Sequence, residues 1–317
     1  MPELSIIIIN WNSKALLVKC LGSLSLHEMR LDYEVLVIDN NSADDFADIH
    51  ADFPERHRFV KFPENIGFGR ACNAAAGMAN AGILLFLGPD TEILHDDDLC
   101  RLLEEYSLNP RLGALGCQFV DEGGERQYSS VPFPSPANIL KSWWRENSRN
   151  ALAIWCRLSG RRSKPLPPRL EYCDAVLGHC LMVARDKFEA VGGFPPDVFL
   201  FSEDIELCKK LVLAGYTNAK DNRRTILHRQ HKSIREKYGW DFIYLVQESL
   251  VRFNVKYHGR LYSAVAAVLT IFAALWNCLF LWIFSGRGNA RETFVRNGKI
   301  LQYYLYERFR IKNAGQS

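Results

Sequence analysis

Three short apolar runs recur early in the chain, and each stops at polar side chains: "LSIIII" (4–9) at Asn10-Trp11-Asn12, "YEVLVI" (33–38) at Asp39-Asn40-Asn41-Ser42, and "GILLFL" (82–87) at Gly88-Pro89-Asp90-Thr91. Runs this short and continuous fit strands buried on both faces. Helical stretches are predicted near 13–26, 43–52, 68–79 and 96–109, with a weaker strand "HRFVKF" (57–62) and a further strand "LGALGCQFV" (112–120). Strands alternating with helices of that length imply βαβ units and an α/β fold with a mostly parallel sheet. In such sheets ligands meet the carboxyl ends of the strands. "DNNSAD" also reads as a turn leading to a helix capped by Ser42. Three polar strand ends facing one crevice favour a binding site.

The chain lacks the usual phosphate loops. A dinucleotide fingerprint needs G-x-G-x-x-G directly after a strand, and "GFGRAC" (67–72) has two of the three glycines. The Walker pattern G-x-x-x-x-G-K-[ST] does not occur. A divalent cation bridging a carboxylate to phosphate oxygens is the alternative. Asp90 suits it, because Mg2+ is commonly held by one or two carboxylates plus substrate phosphates.

The 317 residues suffice for one large domain or two ordinary ones. A net charge of +3 gives no reason to expect a nucleic-acid partner. The nine cysteines are scattered without a Cys-x-x-Cys pair, which argues against a zinc ribbon or redox motif and fits free thiols in a reducing compartment. "MPELSIIIINWN" carries an acid where a signal peptide has a basic region, so no signal peptide is expected.

Over residues 121–174 the alternation breaks. This stretch is rich in proline ("VPFPSPAN", "KPLPPRL") and carries Lys141, Arg145, Arg149, Arg157, Arg161, Arg162, Lys164 and Arg169 against Glu122, Glu125, Glu146 and Glu171. "SWWR" adds two adjacent tryptophans. It reads as a solvated excursion, or as a lid or contact for an anionic or membrane-bound partner. Beyond it, "AVLGHCLMVA" (175–184) reads as a strand, and "RDKFEAVGGF" as a helix ended by Gly192-Gly193. "FSEDIELCKKLVLAGY" reads as a helix capped by Ser202. Glu203, Asp204 and Glu206 in its first turn suit the helix dipole; a general base at a cleft edge is the other reading. His228 and His231 in "ILHRQHKS" are either structural or ligands for a metal or phosphate.

Taken in this order, these pieces resemble the family 2 glycosyltransferases of GT-A fold, and among them the rhamnosyltransferase-like enzymes of bacterial polysaccharide assembly. The resemblance runs over about residues 4–233, through "SIIIINWNS", "VLVIDNNSADD", "ENIGFGRACNAA", "FLGPDTEI", "GHCLMVARDKFEAVGGFPPDVFLFSEDIELCKKLVLAGY" and "LHRQHKS". It implies a nucleotide-diphosphate sugar donor, with rhamnose on a dTDP carrier the first expectation and galactose, glucose or N-acetyl sugars open. Asp39 would bond the base or ribose, and Asn10 and Trp11 would line the base. Asn65, Gly67 and Asn73 would shape the nucleotide pocket, and Gly178 would border the nucleotide sugar. Asp90 would hold a divalent cation, Mg2+ or Mn2+, against the diphosphate. His228, in an H-x-x-x-x-S element ending at Ser233, would lie near both. Asp204 would be the general base of an inverting transfer.

The chain departs from the family pattern in places. Gly88 stands where Asn often precedes "PDT", the second acid is Glu92 rather than the last residue of a D-x-D, and His179 replaces a residue that is usually small, next to the acceptor or sugar. There is no Q-x-x-R-W motif, so a processive synthase is not implied. The Gly88 departure leaves room for a non-catalytic relative that binds nucleotide sugar or scaffolds an assembly. A sugar nucleotidyltransferase would want a glycine-rich, lysine-bearing loop after the first strand, which "NWNSKALL" does not supply.

"SAVAAVLTIFAALWNCLFLWIF" (263–284) has no charged residue. At about 1.5 Å per residue it is long enough for a roughly 30 Å hydrocarbon core. Arg252, Lys256 and Arg260 precede it, and seven Lys/Arg against Glu292 and Glu307 follow from Arg287 onward. A single crossing from a cytosolic catalytic domain would put that basic tail outside, against the positive-inside tendency. A segment lying in the membrane interface is preferred, with a helical hairpin packed on the protein as the alternative. The expected organisation is a catalytic domain over 1–235, comprising a nucleotide-sugar half (1–120), the basic excursion (121–174) and an acceptor/base half (175–235). A membrane-associating helical tail follows over 236–317. A polyprenyl-linked saccharide acceptor at the cytoplasmic face of the membrane would suit both the tail and the basic segment.

Overall fold

The first apolar run folds as strand β1 (Leu4–Asn10), every residue of which is buried. It pairs in parallel with β2 (Tyr33–Asp39) on one side and β4 (Ile83–Leu87) on the other, and β2 pairs in parallel with β3 (His57–Lys61). The register sets Asn10 opposite Asp39 and Ile8 opposite Leu87, so the polar ends of these strands open along one edge. This α/β core appears in a computed structural model that describes residues 2–26, 30–43, 49, 53, 57–144, 168–229, 239–284 and 287–307. The helix expected near 43–52 falls largely outside the described residues. Helices Lys14–Leu26, Phe68–Met78 and Asp98–Leu108 follow the sequence expectation.

Beyond β4 the sheet continues in the order β3-β2-β1-β4-β11-β6-β12-β5, with β5 at Thr91–Ile93, β6 at Leu112–Val120, β11 at Cys180–Ala184 and β12 at Thr217–His228. Strand β11 runs antiparallel to both neighbours, while β12 is parallel to β6 and antiparallel to β5. Two short strands pair at the margins: β7 (Arg126–Gln127) with β6, and β9 (Leu170–Cys173) with β12. The apolar faces of β1, β2, β4 and β6 close on Leu17, Leu21 and Leu24 of the first helix and on Leu99, Leu102 and Tyr106 of the third.

Two sequence expectations are corrected. Residues 175–184 are not one strand: Ala175–Val176 (β10) pairs with Ser130–Val131 (β8) in a separate two-stranded sheet, and β11 enters the main sheet. Between them Gly178-His179 make a turn, closed by Cys180 N–H donating to the Leu177 carbonyl at 3.3 Å. The two halves bond to different sheets, so the chain must bend there. Ser202 does stand before helix Glu203–Leu213, but its backbone is left-handed (φ 65°) and its hydroxyl makes no capping bond.

By contacts the chain forms two units, Met1–Pro132 with Pro167–Ser233, and Phe133–Leu166 with Ile234–Ser317. The first holds the sheets. In the second, helices Phe242–His258, Arg260–Phe284 and Arg287–Gln302 are followed by a π-helical turn, Tyr303–Glu307. Ala267, Tyr303 and Tyr304 form the centre of its core, and Trp143, from a helical stretch at 136–144, lies 5.5 Å from Trp276 between ring centroids.

Candidate active site

Asp90 sits in a tight turn that its own sequence sets. Pro89 fixes the backbone at the second turn position, and Thr91 N–H and Oγ1 both donate to the Gly88 carbonyl, at 3.2 and 2.7 Å. Strand pairing then brings in the histidine. β12 sets His228 opposite Thr91, and His228 Nε2 lies 3.5 Å from Asp90 Oδ2. On the other side, the turn between β10 and β11 sends His179 Nε2 to 4.0 Å from Asp90 Oδ1. Burial alone would raise the Asp90 carboxyl, but the imidazoles of His179 and His228 outweigh it and hold the group down at about 2.

His228 is 4% exposed and held by Gln127. Gln127 Nε2 donates to the His228 carbonyl at 3.0 Å, so its Oε1 is the atom 2.8 Å from His228 Nδ1. Nδ1 therefore donates to Gln127, and Nε2 is the ring atom that faces Asp90. Gln118 holds Gln127 in turn, donating to its carbonyl at 2.7 Å. Gln127 escaped sequence reasoning because no motif contains it; β7 delivers it from 101 residues away in the chain. His231 and Ser233 lie outside the described residues.

Asp204 stands on the first turn of its helix. Its Oδ2 accepts the Gly178 N–H at 2.9 Å and its Oδ1 accepts the Ile205 N–H at 2.7 Å. Burial raises this carboxyl above its ordinary value, and the two N–H donors pull against that without cancelling it. The residues just before the helix, Phe201 and Ser202, both have positive φ (69° and 65°). For a bulky phenylalanine that is a strained backbone, a feature that clusters at functional sites. The turn residues Gly178 and His179 thus tie the two carboxylates together, one against each.

At the ends of β1 and β2 the polar groups form a lattice. Ser42 Oγ accepts from Asn10 Nδ2 (3.1 Å) and from the Asn12 N–H (2.8 Å), and the Ser42 N–H donates to Asp39 Oδ1 (3.1 Å). Asn40 and Asn65 bond at 3.0 Å and give their oxygens to the N–H groups of Ile66 and Gly67. Asp39 Oδ2 has Lys61 Nζ at 3.6 Å but no hydrogen-bond donor, although the atom is buried. Trp11 is half-buried at the same edge. Asn10 is fully buried at this edge, and its Oδ1 has no hydrogen-bond partner. Asn73 is engaged: it donates to the Phe194 carbonyl (2.9 Å) and accepts the Phe194 N–H (2.8 Å).

One carboxylate and two imidazoles fit a divalent cation. The ligating atoms of Asp90, His179 and His228 all lie within 4.8 Å of one another. Asp90 Oδ1 and His228 Nε2 are buried without a hydrogen-bond partner. Each such group costs about 1–3 kcal/mol unless something else satisfies it. The second acid of the motif does not join them. Glu92 accepts from Arg229 Nε at 2.6 Å, so its charge is already matched.

Comparison with known proteins identifies the family. The sequence profile of "Glycosyl transferase family 2" matches residues 5–163. An N-acetylglucosaminyl-diphospho-decaprenol L-rhamnosyltransferase of Mycobacterium tuberculosis is 27% identical over 246 residues, 73% of this chain and 76% of that protein. The rhamnosyltransferase WbbL of Escherichia coli is 29% identical over 161 residues, 47% of this chain and 55% of that protein. The fold matches a mannosyltransferase from Pyrobaculum calidifontis, solved with GDP-Man and Mn2+, with a TM-score of 0.59 at 16% identity, covering 96% of this chain and 87% of that one. With half of its length under the family profile and rhamnosyltransferases among its relatives, this chain belongs to glycosyl transferase family 2.

Proposed function

We propose that this protein is an inverting glycosyltransferase. It moves a hexose, rhamnose in the first instance, from a nucleoside-diphosphate donor to a hydroxyl of a polyprenyl-linked saccharide. The observation that carries the reading is that one turn joins two carboxylates, with His179 Nε2 4.0 Å from Asp90 Oδ1 and the Gly178 N–H 2.9 Å from Asp204 Oδ2, in surroundings that hold Asp90 low and raise Asp204. A strongly acidic carboxyl stays ionised and suits a cation. A carboxyl pushed upward takes a proton more readily and suits a base.

In this reading Asp39 offers its buried Oδ2, which has no hydrogen-bond donor, to the base or ribose of the donor, beside Trp11. The Asn65–Gly67 loop frames the nucleotide, and Gly178 borders the sugar. Asp90 and His228 are the residues that would hold a divalent cation. When bound, it neutralises charge developing on the departing diphosphate. Asp204 receives the proton of the acceptor hydroxyl. The freed oxygen attacks the anomeric carbon on the face opposite the diphosphate, the C–O bond to the diphosphate breaks, and the configuration inverts. The diphosphate leaves unprotonated, so no second protein acid is required.

The acceptor class follows the mycobacterial relative, whose name specifies a diphospho-decaprenol-linked sugar. Helix Arg260–Phe284 supports a membrane-side location for residues 236–317. It buries small or polar residues (Ser263, Ala266, Ala267, Ala274, Asn277) and leaves Leu261, Val265, Val268, Phe272, Leu275 and Leu279 exposed. A helix built for water turns its large apolar side chains inward. One with small residues at its helix contacts and large ones outside suits lipid. With no charge from Leu261 to Phe284, it is assigned to the cytoplasmic membrane interface, with residues 1–235 as the catalytic part.

The test is transfer by the purified chain from dTDP-rhamnose, and from UDP and GDP sugars, to a prenyl-diphosphate N-acetylglucosamine. The anomeric configuration of the product is read by NMR. An inverted glycoside, absent with Asp204→Ala, is the expected result. A retained configuration overturns the mechanism. Donor binding without turnover under every pairing would favour a binding relative.

A further inference from the structure

We infer that His179 is a third protein ligand of the divalent cation, and that Gly88 is what admits it. The inference rests on the reading of Asp90 and His228 as a cation site. A side chain at position 88 has nowhere to go: its Cβ would lie 2.8 Å from Asp90 Oδ1, 2.8 Å from His179 Cδ2 and 3.3 Å from His179 Cβ. Glycine at 88 and histidine at 179 therefore fit together in this chain. The imidazole occupies the space that a residue 88 side chain would need.

The backbone fixes this arrangement, since Gly88 N–H donates to the His179 carbonyl at 3.0 Å. The His179 ring stands 4.5 Å from the His228 ring between centroids, with Phe119 packed against both. Aromatic packing alone would explain three rings in contact. It does not explain why Asp90 Oδ1 and His228 Nε2 are left buried and unbonded beside them. The His179 side chain is 36% exposed, so the cluster keeps an open side for ligand oxygens. Charge points the same way. Arg229 has taken Glu92, so the groups gathered at the site are Asp90, His179 and His228.

The donor set decides the preferred ion. A pair of carboxylates suits Mg2+, which demands oxygen ligands. One carboxylate with two imidazoles suits first-row transition cations. The site is thereby tuned to Mn2+, Co2+ or Zn2+ over Mg2+.

The experiment is metal binding by the full chain, stripped of metal and free of nucleotide. Mn2+ and Mg2+ are titrated by calorimetry, and Co2+ by its visible absorption, in the parent, His179→Ala, Asp90→Ala, His228→Ala and the double variant Gly88→Asn/His179→Ala. The parent should bind Mn2+ at least about tenfold tighter than Mg2+. His179→Ala should weaken Mn2+ by a similar factor and lower the Co2+ absorption. The double variant should narrow the gap between Mn2+ and Mg2+. Parent-like Mn2+ binding in His179→Ala, with binding lost in Asp90→Ala, would sink the third-ligand assignment and leave the cation site standing. Parent-like binding in Asp90→Ala and His228→Ala would remove the cation site itself.

Discussion

Gln127 grips His228 at two points, donating to its carbonyl and facing its Nδ1 at 2.8 Å. That clasp fixes the ring with its Nε2 toward Asp90. Groups that orient a metal-bound histidine are commonly worth about 10–100-fold in metal affinity. Gln127→Leu should therefore weaken Mn2+ binding by that order. Because Gln127 is only a positioning residue, the transfer rate at saturating Mn2+ should recover most of the way. A calorimetric titration with and without the substitution decides it; an unchanged affinity would reduce Gln127 to a packing role.

Asp204 gives a pH signature. Its carboxyl is raised by burial, so the base form should be lost on acidification sooner than for a free aspartate near about 3.9. The acid limb of kcat/KM should lie above that value. Asp204→Ala should lower kcat by about 10²–10⁴-fold. Stability follows the opposite sense. A carboxyl with a raised folded value contributes most below its unfolded value, and that contribution is lost as pH rises through the folded one. Asp204→Ala should therefore cost more melting temperature near pH 4 than near pH 7, which a thermal scan at the two values checks.

Much of this was legible in the sequence because it rests on local pattern. β1, β2, β4 and β6 are continuous apolar runs whose ends could be read to within a residue or two. Pro89 and Thr91 announce the turn that presents Asp90. What was not legible is what long-range pairing creates. Nothing local tells Gln127 that β12 will bring His228 to it. Likewise, nothing in "AVLGHCLMVA" reveals that its halves join different sheets. That break turns His179 toward Asp90. Ser202 shows the same limit, since its helix start is signalled by sequence and its left-handed backbone by the tertiary contacts around Asp204.

Gly67 is held to glycine by two separate constraints. Its φ of 86° and ψ of 159° lie in a region open almost only to glycine, and an added Cβ would lie 2.7 Å from the Phe199 carbonyl oxygen. The backbone strain alone costs about 1–3 kcal/mol. The clash would also push away the carbonyl that accepts the Phe68 N–H at 3.2 Å. Gly67→Ala should lower the melting temperature by several degrees and weaken donor binding together. A drop in stability with donor affinity intact would detach this loop from the nucleotide pocket.

Helix Arg260–Phe284 offers the sharpest contrast between water and lipid. Leu261, Val268 and Leu279 are 82%, 63% and 65% exposed, so they make few contacts within the protein. Replacing all three with Ser should barely move the melting temperature, since exposed side chains add little to the core. Against a bilayer the loss is large, because burying each such side chain is worth about 1.5–3 kcal/mol. The triple variant should therefore sediment with anionic vesicles at least tenfold less than the parent. Arg252, Lys256 and Arg260 precede or open the same helix. Attraction of these cations to anionic headgroups is screened by salt, so residual binding of the variant should fall steeply with ionic strength while the parent keeps its apolar component. If parent and variant sediment alike, the exposed stripe does not meet lipid, and the membrane assignment of residues 236–317 fails with it.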